Sequence, residues 1–518
     1  MISVGPDFRR RSIEALTASA LDLLVVGGGI VGAGIARDAA MRGLRVGLVE
    51  QLDFAFGTSS RSSRLLHGGL RYLAQGRIGL VREASIEKKI LHQIAPHLAD
   101  PLAFVFPTYR TRPDWKLWQL KTGVKIYDLL CSGKNLGNST WLNPQQVSAH
   151  LPGLNRSDLT GAVRYYDGFT NDARLVLDTL RSAEKNGATV LNYAKFESAE
   201  FDSGEWRCDI SDVAKASGLP GSTNFGAAST NLRRTVRARA IVNATGPWAD
   251  KIPCSDVKLR LTKGIHVVVP RARIPVPDAV VMTEGKRILF AIPWGERTIL
   301  GTTDTDYSGA LEDVRANAGD IHCVLQIANE FFPKTKLSER DVISTWAGLR
   351  PLIADPNGKP SDISRSHQIK SPKPFWWDVA GGKLTTYRLM AEQAVDQIAR
   401  KLGGKFAGCR TAIEPLLATG ETNGVSGIIP PDFSRAVVEH YCAKEWAKNL
   451  DDVMIRRTSW HYYFTNASER AREVADWMAE ILGWSSESKE EQIQRYEKFG
   501  RTALPEFKPA AKMALSPE

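Results

Sequence analysis

Residues 21–50, LDLLVVGGGIVGAGIARDAAMRGLRVGLVE, constrain the fold of this chain more than any other stretch. Its leading LDLLVV, five of six residues apolar, predicts a strand, the glycines a tight turn, the next segment a helix, and Arg42-Gly43 a turn into a second strand. Gly27, Gly29 and Gly32 spell GxGxxG at the strand-to-helix junction, and Glu50 ends the second strand about 20 residues on. The chemistry follows from the spacing. Glycines let the backbone turn sharply and approach a pyrophosphate, and the helix start offers it unpaired N–H groups. An acidic side chain at the end of the second strand can accept hydrogen bonds from ribose hydroxyls. The unit fixes an α/β nucleotide-binding core but serves NAD and FAD alike.

At 518 residues the chain has room for two to four domains of roughly 150 residues each. The net charge of +11 favours an anionic partner: a phosphorylated metabolite, an anionic bilayer or nucleic acid. No helix-turn-helix, zinc-finger or RNA-binding motif accompanies that charge, so nucleic acid is set aside. Cys131, Cys208, Cys254, Cys323, Cys409 and Cys442 are scattered, without CxxC or a metal-like spacing with histidine. They read as free thiols of a reducing compartment, with no metal site. The RRR of residues 9–11 lacks the apolar core of a signal peptide. The longest apolar stretch, LDLLVVGGGIVGAGIA, is too short and too glycine-rich to span a bilayer. A cytoplasmic protein is expected, with attachment to a membrane surface left open.

Directly after the nucleotide unit comes GTSSRSSRLLHGGLRYL, residues 57–73, too polar for a core. It is either a solvated loop or a segment wrapped against an anion. Leu80, Ala84, Glu87, Leu91 and Ile94 predict a helix over Ile78–Ile94. Another is expected over Asp172–Lys185, capped by Asn171 or Asp172 and ended by Asn186-Gly187. Residues 202–234, rich in Ser, Gly, Ala and Asn, read as an exposed inserted loop without chemistry. Residues 257–303 are strand-rich, with a hairpin at Gly295-Glu296. Residues 375–400 predict a strand, a double-glycine turn and a helix capped by Thr385 or Thr386. After Gly404 the character turns helical, and no internal repeat is present. The stretches NATGPWAD (243–250) and GGKLTTYR (381–388) return to the cofactor of the first unit, which favours FAD over NAD.

In this order, GGGIVGAGIARDAAMRGL, TSSRSSRLLHGGLRYL, APHL, DARLVL, VNATGPWAD, LTKGIHVVVPR, GTTDTDY, GLRPL and GGKLTTYR resemble the motifs of the FAD-dependent, quinone-reducing glycerol-3-phosphate dehydrogenases. The match runs over residues 21–388, and IRRT and VADWMAEIL extend it weakly into the C-terminal region. The resemblance implies a discontinuous Rossmann-type FAD-binding domain of the glutathione-reductase/D-amino-acid-oxidase-like kind, over 20–88, 163–250 and 366–404. It further implies an antiparallel-sheet substrate domain over 89–162 and 251–365 and a helical cap over 405–518. The extension before Leu21, the loop near residue 218 and the segment PLIADPNGKPSDIS depart from the family pattern.

The implied reaction moves a hydride from C2 of sn-glycerol 3-phosphate to flavin N5, giving dihydroxyacetone phosphate. For the phosphate, the resemblance names Arg71, Tyr72, Arg365 and Lys383; a guanidinium fork suits a phosphate because it pairs with two oxygens at once. For the proton, His266 is the natural base, since an unperturbed imidazole titrates near neutrality. A histidine opening an apolar strand is as often structural, and Arg350 or Lys383 must then lower the hydroxyl pKa electrostatically. For the cofactor, Gly27, Gly29, Gly32 and Glu50 are joined by Thr58, Ser59, Ser62, Arg64, Leu65, His67 and Gly68. Ala244, Thr245, Gly246, Gly382, Leu384 and Thr385 complete the set, with the helix after Thr385 turning its positive end to the pyrimidine carbonyl.

Residues 109–130 mix Trp115, Trp118, Leu120, Val124 and Tyr127 with Arg110, Arg112, Lys116, Lys121 and Lys125. This is either an interfacial helix or an ordinary amphipathic helix on a core. On the first reading the protein lies on the inner face of the cytoplasmic membrane and reduces a ubiquinone-type acceptor, with a homodimer left open. Three alternatives stand beside it: oxygen as acceptor, another polyol phosphate such as a tetritol phosphate, and a flavin-holding protein without turnover. The cations Arg71, Arg350 and Lys383 argue against the last.

Overall fold

The LDLLVV run is buried from both sides, which is why it carries no polar alternation. It forms the strand Leu21–Val26, the centre of an eight-stranded sheet. Its parallel neighbours are Arg233–Asn243 and Val46–Val49, followed by Thr189–Leu191 beyond the latter and Trp376–Gly381 beyond the former. Leu23 and Val25 face the helices Ile30–Met41, Asp172–Lys185 and Tyr387–Leu402. Leu24 and Val26 face the other way, toward Phe196, Trp206 and Ile210 and toward Leu16 of the helix Pro6–Ala18. This computed structural model describes residues 6–69, 73, 76–112, 115–131, 135–213, 233–285, 287–354 and 367–503.

A second, ten-stranded sheet is mainly antiparallel. Its longest strand, Leu259–Pro270, lies near one edge, paired with Ser344–Ile353 on one side and Arg297–Gly301 on the other. Alternation along this strand sends Val267 and Val269 toward the helix Ala318–Phe331, and Val268 toward the C-terminal helices. Those helices, Arg435–Lys444 and Ala467–Leu482, contribute Val438, Tyr441, Val474 and Met478 to the same core as Trp294 and Trp346. Buried ion pairs also tie this region to the nucleotide sheet. Asp53, close past Glu50, accepts from both Arg456 and Arg457, and Arg174 holds Glu445 in a two-pronged pair at 2.5 and 2.9 Å. Breaking one partner of such a pair costs about 3–5 kcal/mol, because the other is left charged and buried.

Several expectations shift. The division expected at residue 163 falls inside Leu159–Phe169, which pairs along its whole length with Asp100–Tyr109 and so belongs to the second sheet. The chain first crosses to that sheet at Leu65–Leu66, paired with Phe169 and Gly168, well before residue 89. The helix Pro6–Ala18 packs on the nucleotide sheet ahead of residue 20. The loop expected over 202–234 contains the strand Glu205–Asp212, held by Trp206, Cys208 and Ile210 pointing inward; residues 214–232 lie outside the described residues. Beyond Gly404 the chain stays irregular apart from Thr419–Thr422 until Arg435–Lys444, because it is laid across the nucleotide domain. Arg37 donates to the carbonyls of Thr411, Glu414 and Pro415, and Leu416 N–H to Ile94 O. Among the described residues, no helix is long and apolar enough to cross a membrane.

Candidate functional site

A cavity of about 550 Å³ opens where the ends of the nucleotide-sheet strands meet the second sheet. Its nucleotide end is made by backbone. Gly27 has φ +111°, and a Cβ there would stand 2.6 Å from the Ala244 carbonyl oxygen. A Cβ on Gly32 would stand 1.9 Å from Gly27 O, so only glycine lets the helix approach the strand. Ile30 N–H, at the helix start, donates to Ser59 Oγ at 3.0 Å. Glu50 accepts from Gly28 N–H at 2.7 Å and Leu52 N–H at 2.9 Å, and burial pushes its carboxyl above the usual range. Gly27, Gly29, Glu50, Ala244, Thr245 and Gly246 all line the cavity, whereas Gly32 acts behind the wall through its packing.

The hydroxyl-rich stretch crosses from one sheet to the other along this wall. Thr58 Oγ1 donates to Leu349 O at 2.6 Å, and Ser62 N–H donates to the buried Asp172 carboxylate at 2.8 Å. Ser62 Oγ accepts Arg64 N–H at 3.0 Å, beside a left-handed turn at Arg64 with φ +57°. That turn reverses the Arg64 side chain. Its guanidinium lies over Trp294 and Trp346 at 4.5 and 5.2 Å, donates to Ser459 Oγ at 3.0 Å and sits 3.8 Å from Asp172. Arg64 is therefore a core residue and does not line the cavity, contrary to the cofactor role expected of it. Gly68 is also behind the wall, its N–H donating to Tyr127 OH at 2.9 Å. Thr58, Ser59, Ser62, Leu65 and His67 line it.

Gly382, Lys383, Leu384 and Thr385 come in from the far end of the chain. Neither threonine caps the helix Tyr387–Leu402 with its side chain. Thr385 Oγ1 instead accepts His67 N–H at 3.1 Å and donates to His67 O at 3.3 Å, tying two cavity segments together.

At the opposite end the wall is made by side chains. His266 is 2% exposed, stacks on Trp346 at 5.1 Å, and meets Ser63 Oγ through Nε2 at 2.9 Å. Burial, with the nearby charges of Arg350 and Arg64, lowers its pKa to about 3. It is neutral at neutral pH and a weak base, so the site weighs toward its structural reading. Arg350 pairs with Asp304 at 3.0 Å and donates to Thr302 Oγ1 and Thr303 O, both at 3.2 Å. His266, Arg350 and Lys383 thus line the same cavity, with Arg350 near enough to His266 to depress its pKa, whereas Arg71, Tyr72 and Arg365 lie outside the described residues. Sequence reasoning gave Ser63 and Arg61 no site role of their own, and Asp172 only that of a helix cap. Ser63 and Arg61 stand in the hydroxyl-rich stretch, but only the packed structure separates them from their neighbours.

The glycine cradle, the acidic strand end and a volume within the usual range for cofactor sites fit a flavin dinucleotide. Fold and site define an FAD-dependent oxidoreductase, and the sequence model of the "FAD dependent oxidoreductase" family matches residues 22–383. A second model, the "C-terminal domain of alpha-glycerophosphate oxidase", matches residues 423–489. The chain is 34% identical to the glycerol-3-phosphate dehydrogenase of Mycobacterium leprae over 551 residues, covering 95% of this chain and 90% of that one. It is 36% identical over 416 residues to the aerobic glycerol-3-phosphate dehydrogenase of Staphylococcus aureus, covering 78% and 72%. The crystal structure of the glycerol-3-phosphate dehydrogenase from Bacillus halodurans complexed with FAD superposes with a TM-score of 0.77 at 29% identity, covering 98% of this chain and 99% of that one. The chain belongs to the FAD-dependent glycerol-3-phosphate dehydrogenase family.

Proposed function

We propose that this protein oxidises sn-glycerol 3-phosphate to dihydroxyacetone phosphate and passes the electrons to a membrane quinone. The observation that carries the first half is that Arg350, Lys383 and a neutral His266 line the same cavity as the nucleotide unit. Bound FAD supplies the hydride acceptor. Gly27, Gly29, Glu50, Ser59, Ala244 and Thr385, which line the cavity, would hold it, and the chain's own cations would do the rest. Arg350 and Lys383, with Arg71, Tyr72 and Arg365 as family-implied anchors, bind the phosphate dianion. Each charge-assisted hydrogen bond contributes about 1.5–3 kcal/mol. Their positive field also favours the developing alkoxide, which lowers the demand on a base. His266, joined to Ser63 and stacked on Trp346, orients the wall and accepts or donates one hydrogen bond as a neutral ring.

The quinone half is supported by the helix Leu117–Leu130. It buries Leu120, Val124 and Tyr127 in the second sheet's core and leaves Trp118 65% and Leu129 74% exposed. Exposed Trp141 lies beside it with Lys121 over its ring at 5.0 Å, so an aromatic-apolar face carries a cationic fringe. Such a face suits an anionic bilayer, where the quinone is dissolved.

Anaerobic mixing with a panel of polyol phosphates tests the substrate, and reoxidation by a quinone analogue against oxygen tests the acceptor. Reduction by glycerol 3-phosphate and faster reoxidation by the quinone are expected. Failure of glycerol 3-phosphate to reduce the flavin overturns the substrate, and preference for oxygen overturns the acceptor.

A further inference from the structure

Three cationic side chains near the cavity have found anions within the protein. Arg64 has Asp172, Arg350 has Asp304, and Arg456 has Asp53, Asp451 and Asp452. Arg61 has none among the described residues. Its guanidinium carbon lies 5.0 Å from the Phe56 ring centroid, and the nearest charge of note is another cation, Arg456, 5.7 Å from the same ring. It lines the cavity, and desolvation lowers its affinity for the proton. A guanidinium withdrawn from water beside a like charge is costly unless a ligand brings the counter-ion.

The position says which counter-ion. Arg61 N–H closes the turn Thr58–Ser60 by donating to Thr58 O at 3.1 Å. Ser59 of that turn meets Ile30 N–H at the start of the glycine helix. The Arg61 side chain therefore leaves the chain two residues from the serine that meets the positive end of that helix. Both line the one cavity, where a helix start already favours an anion.

We propose that Arg61 is the cation that pairs with the diphosphate of FAD, its fork reaching two phosphate oxygens. The proposal rests on FAD as the occupant of this cavity and assigns to Arg61 the role that Arg64, turned into the core, cannot fill. A substrate phosphate has the same chemistry, so the test separates the two sources.

Equilibrium dialysis of the holoenzyme gives the FAD dissociation constant for the wild type, Arg61→Met and Arg61→Lys at low and high salt. Arg61→Met is expected to weaken FAD binding by about 10- to 150-fold at low salt. The gap should narrow at high salt, where an ion pair is screened, and Arg61→Lys should recover part of the loss. A dissociation constant for Arg61→Met within twofold of the wild type overturns the proposal, and one for Arg61→Lys weakened as far as the expected Arg61→Met loss does the same. So does a loss that salt does not change, which marks packing, or a raised KM for glycerol 3-phosphate with FAD binding intact. A wild-type protein that retains no FAD would instead sink the cofactor assignment itself.

Discussion

Two parts of the cavity are built by different means. At the nucleotide end the working groups are backbone: the Gly27 turn, the helix start at Gly29 and Ile30, and the carboxylate-braced loop between Gly28 and Leu52. In the part proposed for the substrate they are side chains: Ser63, His266, Arg350 and Lys383, from segments far apart in the chain. A backbone site tolerates most side-chain changes but not one added Cβ in the wrong place. A side-chain site tolerates small packing changes but not the loss of a charge.

The largest expected effect lies at the backbone end. Gly32→Val puts a branched side chain where a Cβ alone would be 1.9 Å from Gly27 O, so the purified protein should be colourless. A yellow Gly32→Val protein would break the distinction at once. Next comes Arg350→Ala, which should keep its flavin yet lose about 10- to 150-fold in kcat/KM for glycerol 3-phosphate. Loss of FAD from that variant would mean that the two ends are not separable.

A smaller effect is expected away from both ends. Replacing Trp118 and Leu129 together by alanine should weaken liposome binding about tenfold or more, judged by co-sedimentation. Flavin reduction in solution should be unchanged, and any fall in it would show the helix to be part of the site.

The smallest effect at neutral pH belongs to His266. Its folded pKa, about 3, lies below the ordinary value of 6.5, so the unfolded chain binds the extra proton between those limits. Stability is therefore lost as pH falls from 6.5 toward 3, by up to about 1.4 kcal/mol per pH unit. His266→Gln should flatten that slope in urea titrations, and it should leave no ionisation missing from the rate of flavin reduction near neutrality. A titration near neutrality that disappears in this variant would restore His266 as the base.

The same contrast explains what could be read from the sequence. The glycine turn, the helices Ile78–Ile94 and Asp172–Lys185 and the Gly295 hairpin are specified by local spacing, and each forms where spacing puts it. The distinction between Arg61 and Arg64 is not local. It depends on Trp294, Trp346 and Ser459, which form a cage only when the second sheet and the C-terminal region close on residue 64. Ser63 and His266 are 203 residues apart, and Thr385 and His67 are 318 apart, so neither bond leaves a mark on its own stretch. The crossing at Leu65–Leu66 is two residues long, too short for alternation to announce a strand.

The central claim is that one cavity holds FAD at its backbone end and glycerol 3-phosphate at its cationic end. Anaerobic stopped-flow mixing of the wild-type holoenzyme with glycerol 3-phosphate, followed in the flavin's visible band, tests it most directly. The band should bleach with a saturable dependence on substrate, and Arg350→Ala should need a much higher concentration to reach the same bleaching. A visible band that glycerol 3-phosphate leaves unchanged at every concentration would contradict the claim.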